Sequence, residues 1–192
     1  GVQFLEGPRP KWLPDAVAID SELLDSGFWR DGTMRGAGRD YNGLTISPCH
    51  ETGGLTCIDC HQLLRPHPND QLAAAARDGR TLCGRCHEAI AADVAAHSHH
   101  PAGSTGSDCY NCHMPRTTYG LLTVIRAHRI DSPSVWQSQR GRPNACNLCH
   151  LDKTLAEVGE HLTAWYGQPT PVGIDLEAPA AAVQWLIAGD AV

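Results

Sequence analysis

Four segments of this chain share the spacing Cys-x-x-Cys-His, and together they use eight of its nine cysteines. In this spacing two thiols reach the two vinyl groups on one edge of a porphyrin, and the next residue turns an imidazole to the iron. Each segment therefore predicts one covalently attached haem c, and the chain predicts four. The attachment residues are Cys57, Cys60 and His61; Cys83, Cys86 and His87; Cys109, Cys112 and His113; and Cys146, Cys149 and His150.

Paired cysteines have two other common uses. Two Cys-x-x-Cys pairs can close a tetrahedral zinc site, and a single pair can act as a thioredoxin-like redox dithiol. Neither use requires a histidine directly after the second cysteine. Only 11 of the 192 residues are histidine, so four such histidines by chance are improbable. The pattern favours haem attachment over zinc binding or dithiol chemistry.

Histidine is also the predicted sixth ligand of the irons. Beyond the four motif histidines, seven remain, whereas the chain has only two methionines, Met34 and Met114. Met114 directly follows a motif histidine, so its side chain is badly placed for the opposite face of the same iron. The count excludes His/Met ligation for all four haems and allows bis-histidine ligation. That ligation gives a saturated low-spin iron of lower potential than His/Met ligation.

Four of the seven remaining histidines are predicted as sixth ligands. His97 and His100 are three residues apart on a predicted helical turn, where two imidazoles can serve two neighbouring haems. His128 follows an extended segment, and His67 lies between two prolines in a rigid loop. Three histidines stay open as alternatives: His50, His99 and His161.

The composition suggests a protein that depends on its haems for a core. The 192 residues include five Trp, four Tyr and two Phe against 19 Gly and 13 Pro, which is little aromatic material for a protein-only core. The formal net charge is −6, and no basic stripe indicates nucleic acid as a partner. Redox proteins or further copies of the chain are the expected partners. The ninth cysteine, Cys49, is either a buried thiol or a link between copies.

The motifs also predict an exported protein, because haem c is attached outside the cytoplasm. The first residues show neither Met nor a basic-then-apolar leader, so we expect either that a signal peptide has been removed or that the chain is a piece of a longer protein. No apolar run reaches the roughly 18 residues of a membrane span. We therefore expect a periplasmic or extracellular location, with docking to a larger complex as an open option.

The fold class expected is mainly α with much irregular loop, a haem-cored multihaem cytochrome c with little or no β-sheet. Residues 1–48 read as a motif-free covering segment, 49–150 as a tetrahaem domain and 151–192 as a helical segment. Periodicity and caps predict helices at 15–24, 70–77, 88–96 and 177–187, with an extended stretch at 119–125. A further helix after residue 150 carries the apolar stripe Leu151, Leu155, Val158, Leu162 and Trp165.

Beyond the motifs themselves, the chain resembles the multihaem cytochromes c related to pentahaem nitrite reductase and cytochrome c554. The similar region runs from Tyr41 to Gly167. It is most specific at His97-x-x-His100 and at residues 106–115 (GSDCYNCHMP) and 141–150 (GRPNACNLCH). The resemblance implies closely packed bis-histidine haems, in stacked and angled pairs, that carry electrons. It supports His97, His100 and His128 as sixth ligands.

Two departures from the resembling family bear on function. Relatives often have a histidine three residues after the first motif, where this chain has Leu64, so the first haem is the expected weak point. The nitrite reductases carry their catalytic haem on Cys-x-x-Cys-Lys, which does not occur here. The catalytic half of the resemblance therefore does not carry over.

The function predicted is electron transfer along four closely packed haems, and not enzymatic catalysis. Copies joined head to tail by a contact that does not close would extend the row into a filament. Two alternatives remain from the sequence. One is a multihaem oxidoreductase of the nitrite or hydroxylamine type, which needs one iron with an open position. The other is a subunit of a larger membrane redox complex.

Overall fold

The structure is a computed structural model, and it describes residues 27–62, 71–120 and 122–169. Within these ranges short helices are joined by long irregular segments, and one antiparallel hairpin of two strands is present. Two 3₁₀ turns lie at Ala74–Arg77 and Thr105–Ser107. The helices are α1 (Asp40–Thr45), α2 (Pro48–Glu51), α3 (Cys57–Cys60), α4 (Gly79–Cys83), α5 (Glu88–Ala92), α6 (Val94–Ser98), α7 (Cys109–His113), α8 (Val135–Gln139) and α9 (Leu155–Tyr166), and the strands are β1 (Arg116–Gly120) and β2 (Thr123–Arg126).

Three of the four motifs are built on very short helices, and each of these helices begins at a side-chain cap. Thr56 and Asp59 form a reciprocal capping box at α3. Asp78 accepts from the backbone N–H groups of α4, and Asp108 accepts from that of Tyr110 at α7. Helices of four or five residues are unstable alone, so these caps, together with packing between motifs, hold the cysteines in place.

The second and third motifs pack directly on each other through a glycine. A Cβ atom at Gly79 would lie 3.1 Å from Asp108 Oδ1, 3.2 Å from a Tyr110 ring carbon and 3.3 Å from the Cys109 Cβ. Tyr110 also donates from its hydroxyl to the Ala76 carbonyl, at 3.0 Å. The close approach of α4 to α7 depends on the missing side chain at Gly79.

The prediction of a helix over residues 70–77 is wrong within the described residues. Only the 3₁₀ turn at Ala74–Arg77 is helical, while Asn69 and Asp70 lie outside the described ranges. The Ala73 N–H donates to the Cys60 carbonyl at 2.9 Å, and Leu72 forms an isolated bridge with His61. Pairing with the end of the first motif therefore draws the backbone before residue 74 into an extended form.

The single helix predicted over residues 88–96 is also wrong in detail. The structure has two helices, α5 and α6, that meet at Asp93 with φ −134°. The Asp93 side chain accepts from the Ala96 N–H and so caps α6. Aspartate competes for backbone hydrogen bonds in this way more readily than it continues a helix.

The described part of the N-terminal segment lies against the hairpin. Backbone hydrogen bonds join Tyr119 in β1 to Arg35 and Ala37, at 2.7 and 2.8 Å. The Trp29 indole donates to the Thr117 carbonyl at 3.0 Å. The extended stretch expected at 119–125 corresponds to the end of β1 and most of β2. The helix expected at 15–24 lies outside the described residues.

Helix α9 supplies most of the protein-only core. Leu155, Val158 and Leu162 are buried together with Val135 of α8. Leu151 precedes the helix and is 53% exposed, and Trp165 is 42% exposed, so the predicted stripe packs only in its middle. The helix begins at a Thr154–Glu157 capping box and ends at Gly167. The helix expected at 177–187 lies outside the described residues, and no described helix has the length and apolarity to span a membrane.

A buried ionic cluster ties the N-terminal segment to the segment before the fourth motif. The Arg142 side chain is fully buried and donates to Asp31 at 2.7 Å and to Asp131 at 2.8 Å. Arg129 lies 3.3 Å from Asp131 and 3.9 Å from Asp31. The two cations and two carboxylates balance in charge. Buried charges need partners of opposite charge, because leaving one uncompensated is strongly destabilising.

Candidate functional site

Three motif histidines lie opposite three of the four histidines predicted as sixth ligands. The ring centroids are 6.1 Å apart for His61 and His128, with 25° between the ring planes. They are 6.1 Å apart for His97 and His113, with 14° between planes. The third pair, His100 and His150, has 5.9 Å and 38°.

These distances match two imidazoles on one iron. An imidazole nitrogen lies about 2 Å from a first-row transition metal and about 1 Å from the centre of its own ring. Two rings that ligate one iron from opposite sides therefore have centroids about 6 Å apart. A stack in direct contact is much closer, as the 4.1 Å between His99 and Trp165 shows. The three pairs thus fit an iron between the rings better than a stack.

Each pair joins parts of the chain that belong to different motifs. His97 and His100 follow the second motif, yet they lie opposite the histidines of the third and fourth motifs. His128 follows the third motif and lies opposite His61 of the first. Ligation by these pairs would tie the motif segments to one another.

Hydrogen bonds at Nδ1 leave Nε2 for a metal in several of these rings. The Nδ1 atom of His113 lies 2.9 Å from the Asp131 carbonyl, and that of His100 lies 2.7 Å from the Ser98 carbonyl. Because a carbonyl oxygen only accepts, Nδ1 carries the proton and a neutral ring keeps its lone pair on Nε2. This is the arrangement that metal-ligating histidines commonly have.

Burial favours the neutral, ligating form of two of the histidines. Burial is the largest cause that lowers the pKa of His61, and the neighbouring His128 lowers it further. For His97, burial again comes first and His113 second in lowering the pKa. A histidine must be deprotonated to bind a metal, so both rings are suited to ligation.

The histidine of the second motif, His87, is exposed. Among the described residues it belongs to none of the three ring pairs. His67 was predicted as a sixth ligand and lies outside the described residues. His50 has its Nδ1 at 2.7 Å from the Leu55 carbonyl. It follows Cys49, whose thiol is within electrostatic range of Cys86 in motif two. His50 and His67 therefore both stay open as ligands.

The remaining two histidines take part in a different contact. His99 and His161 both stack on Trp165, with centroids 4.1 and 4.7 Å away and planes within 13° and 22°. Both are exposed. His99 ends α6 with φ 56°, which turns its side chain away from those of His97 and His100. A surface aromatic cluster accounts for these two rings.

Partial burial raises the pKa of six of the cysteine thiols, which is not the character of a redox dithiol. None of the nine, all of which are described, forms a disulfide. Burial first, and Cys109 second, raise the pKa of Cys83 to about 12. Burial likewise raises the pKa of Cys146 to about 11. Reactive dithiols have lowered values instead. The Cys109 thiol is close enough to Cys83 to raise its pKa, so the second and third motifs meet near their first cysteines.

Among the described residues, no group of three or more His, Cys, Asp or Glu side chains converges as metal ligands. A structural zinc ion takes four such ligands, whereas a haem iron takes two axial ligands from the protein. The histidines of this structure meet in pairs, which is the second arrangement. Three such pairs are present among the described residues, and they fit two protein ligands at each of three irons.

One buried donor also fits the anionic edge of a haem. The Arg142 Nη1 atom is buried and has no hydrogen-bond partner among the described residues. Arg142 is linked through Asp131 to the Nδ1 atom of His113. A buried unpaired guanidinium nitrogen is costly, and a carboxylate such as a haem propionate would satisfy it.

Sequence reasoning missed the residues that hold the ligating rings. Asp40 lies beside His128, and Asp131 beside His113. A Cβ atom at Gly106 would overlap the ring of His100. Gly106 lies in residues 106–115, one of the stretches that carry the family resemblance. Nothing in the local sequence connects Asp40 with His128, because the two residues belong to distant segments.

The chain matches no protein family, and no curated protein or solved structure is similar enough to it to be a relative. The resemblance to multihaem cytochromes c therefore stays a prediction from the motifs.

Proposed function

We propose that this protein is a tetrahaem c-type cytochrome that carries electrons. The observation that supports this most strongly is the set of three histidine pairs at 5.9–6.1 Å. Each pair combines a histidine of a Cys-x-x-Cys-His motif with one from another part of the chain. When bound, haem supplies reversible one-electron chemistry at its iron.

The side chains of this chain would do three things for such a cofactor. The eight motif cysteines would bind it covalently through thioethers. The paired histidines would occupy both axial positions and so favour electron transfer over substrate binding. The contact between Cys83 and Cys109 and the short spacing from His97 to His100 would hold neighbouring groups close, as a row of electron carriers needs.

Partners and location are part of the same proposal. We infer a periplasmic or extracellular protein that exchanges electrons with other redox proteins or with further copies of itself. Its formal net charge of −6 favours a partner surface of positive charge, because complementary charges speed encounter.

The first test is the haem content of the exported chain. The purified holoprotein should contain four haems per chain by pyridine haemochrome absorbance and by intact mass. Replacing Cys146 and Cys149 together with Ser should reduce that number to three. A chain that carries zinc and no haem would refute the proposal.

The second test is the spin state of the ferric protein, because electron carriage and catalysis differ there. Three bis-histidine irons should give low-spin signals by electron paramagnetic resonance and should not bind cyanide. A high-spin component that binds nitrite or cyanide at more than one haem per chain would favour the oxidoreductase alternative and contradict the ligand pairs.

A further inference from the structure

We propose that Asp40 is a positioning residue for His128, which fixes the orientation of that ring and lowers the reduction potential of the iron that His61 and His128 would ligate. The inference rests on the proposed haem ligation, and it assigns a function to the N-terminal segment that the sequence identified only as a cover.

The contact that carries the inference is between a carboxylate and a ligand ring. The Asp40 Oδ1 atom lies 3.1 Å from His128 Nδ1. Both atoms are buried, and neither has a hydrogen-bond partner among the described residues, so this is a close contact of charge with the ring and not an aligned hydrogen bond. With Nε2 on a metal, Nδ1 would keep its proton beside the carboxylate.

Helix α1 is packed so that this contact is held in place. A Cβ atom at Gly43 would lie 2.8 Å from the Arg129 backbone nitrogen and 3.0 Å from the His128 carbonyl carbon. The buried Ser47 hydroxyl donates to the Gly43 carbonyl at 2.8 Å and accepts from the Ile130 N–H at 2.8 Å. The helix that carries Asp40 therefore lies directly on the backbone of His128 and Arg129.

Three of the other predicted ligand rings have a backbone hydrogen-bond partner instead. Carbonyl oxygens face the Nδ1 atoms of His113 and His100, and His61 has a hydrogen bond with the backbone of Gln71. A carboxylate carries a full negative charge, whereas a carbonyl carries a partial one. Hydrogen bonding behind the ligand is one of the ways in which a protein sets the potential of a haem.

The Asp40 carboxylate lies close to the histidine pair as a whole, because His128 lies opposite His61 with 6.1 Å between their ring centroids. A negative charge close to the pair stabilises the more positive, oxidised state of the site by Coulomb attraction. Of the three pairs, the one that contains His128 should therefore have the lowest reduction potential.

The experiment is a redox titration of the holoprotein, followed by visible absorbance, for wild type, Asp40→Asn and Asp40→Glu. The neutral and nearly isosteric Asn should raise one of the four midpoint potentials and leave the other three in place. The charge-retaining Glu should keep that potential near its wild-type value. Spin state is recorded on the same samples, and a high-spin signal in Asp40→Asn that Asp40→Glu lacks would also support the positioning role.

Glu160→Gln is the matched control, because Glu160 is an exposed acid on α9, outside the four motifs and outside α1. The inference is refuted if Asp40→Asn leaves all four potentials and the spin state unchanged, or if Glu160→Gln raises the same potential by as much. Failure of the proposed function is seen separately, because the wild-type chain would then contain no haem.

Discussion

His97 lies opposite His113 with 6.1 Å between their ring centroids and only 14° between their planes. Three residues later His100 lies opposite His150, at 5.9 Å. The end of α6 and the residues directly after it thus face the histidines of the third and the fourth motif. Helix α9 braces this segment, because the Tyr166 hydroxyl donates to the His97 carbonyl.

Replacing His97 or His100 with Ala should convert one haem per chain from low to high spin, and the double variant should convert two. The physical reason is that each ring lies opposite a different motif histidine. Electron paramagnetic resonance of the ferric holoprotein measures the change. His99→Ala is the control, since that ring stacks on Trp165 and its loss should leave all haems low-spin. An unchanged spectrum for His97→Ala would remove that residue from the ligand set.

Gly106→Ala should disturb the same region through packing. The added Cβ would overlap the His100 ring, so the ring must leave its position or the 3₁₀ turn must shift. Overpacking of this kind costs roughly 1–3 kcal/mol, and one haem should become partly high-spin. Gly159→Ala is the control, because its Cβ would meet only Val135, at 3.6 Å, and Ala favours a helix by about 1 kcal/mol over Gly. Denaturant unfolding measures the free energy of unfolding of both variants. An equal loss in Gly106→Ala and Gly159→Ala would contradict the assigned clash.

Arg142→Met should destabilise the holoprotein strongly, because it removes the fully buried one of the two cations that the Asp31 and Asp131 carboxylates share. Breaking a buried ion pair from one side costs about 3–5 kcal/mol. Denaturant unfolding measures this loss. The double variant Arg142→Met with Asp31→Asn should recover part of it, since one uncompensated charge is removed. Additive losses in the two variants would show that the residues are not coupled.

The first turn of α9 should loosen in acid. Hydrogen bonds from the Thr154 backbone, and then from Lys153, lower the pKa of Glu157 from 4.5 to about 2. Because the folded pKa is depressed, the capping contribution is complete above pH 4.5 and is lost as the pH falls towards 2. Amide hydrogen exchange of the first turn, corrected for intrinsic rates, should rise over that window in wild type. Glu157→Gln should not show this rise, and a parallel rise in both proteins would assign the acid effect to another group.

Some site residues could be found from local sequence alone. The cysteine spacing indicates where each haem would attach because the chemistry involves five consecutive residues. The number of histidines and methionines limited the ligand type, and the short spacing from His97 to His100 indicated two neighbouring irons. The same local reasoning failed at Asp93, where a cap splits the expected helix, and before Ala74, where the backbone pairs with the first motif.

By itself the sequence determined what depends on residues within about one helical turn: the four attachment motifs, a helix after residue 150, and a supply of histidine larger than the motifs need. Only the tertiary structure decided which rings lie opposite each other. It brought His128 to His61 in the first motif, where the sequence had suggested the weakest point, and it left His87 in motif two without a partner ring among the described residues. It also placed Asp40 behind His128. These pairings depend on contacts between distant segments, which local spacing does not encode.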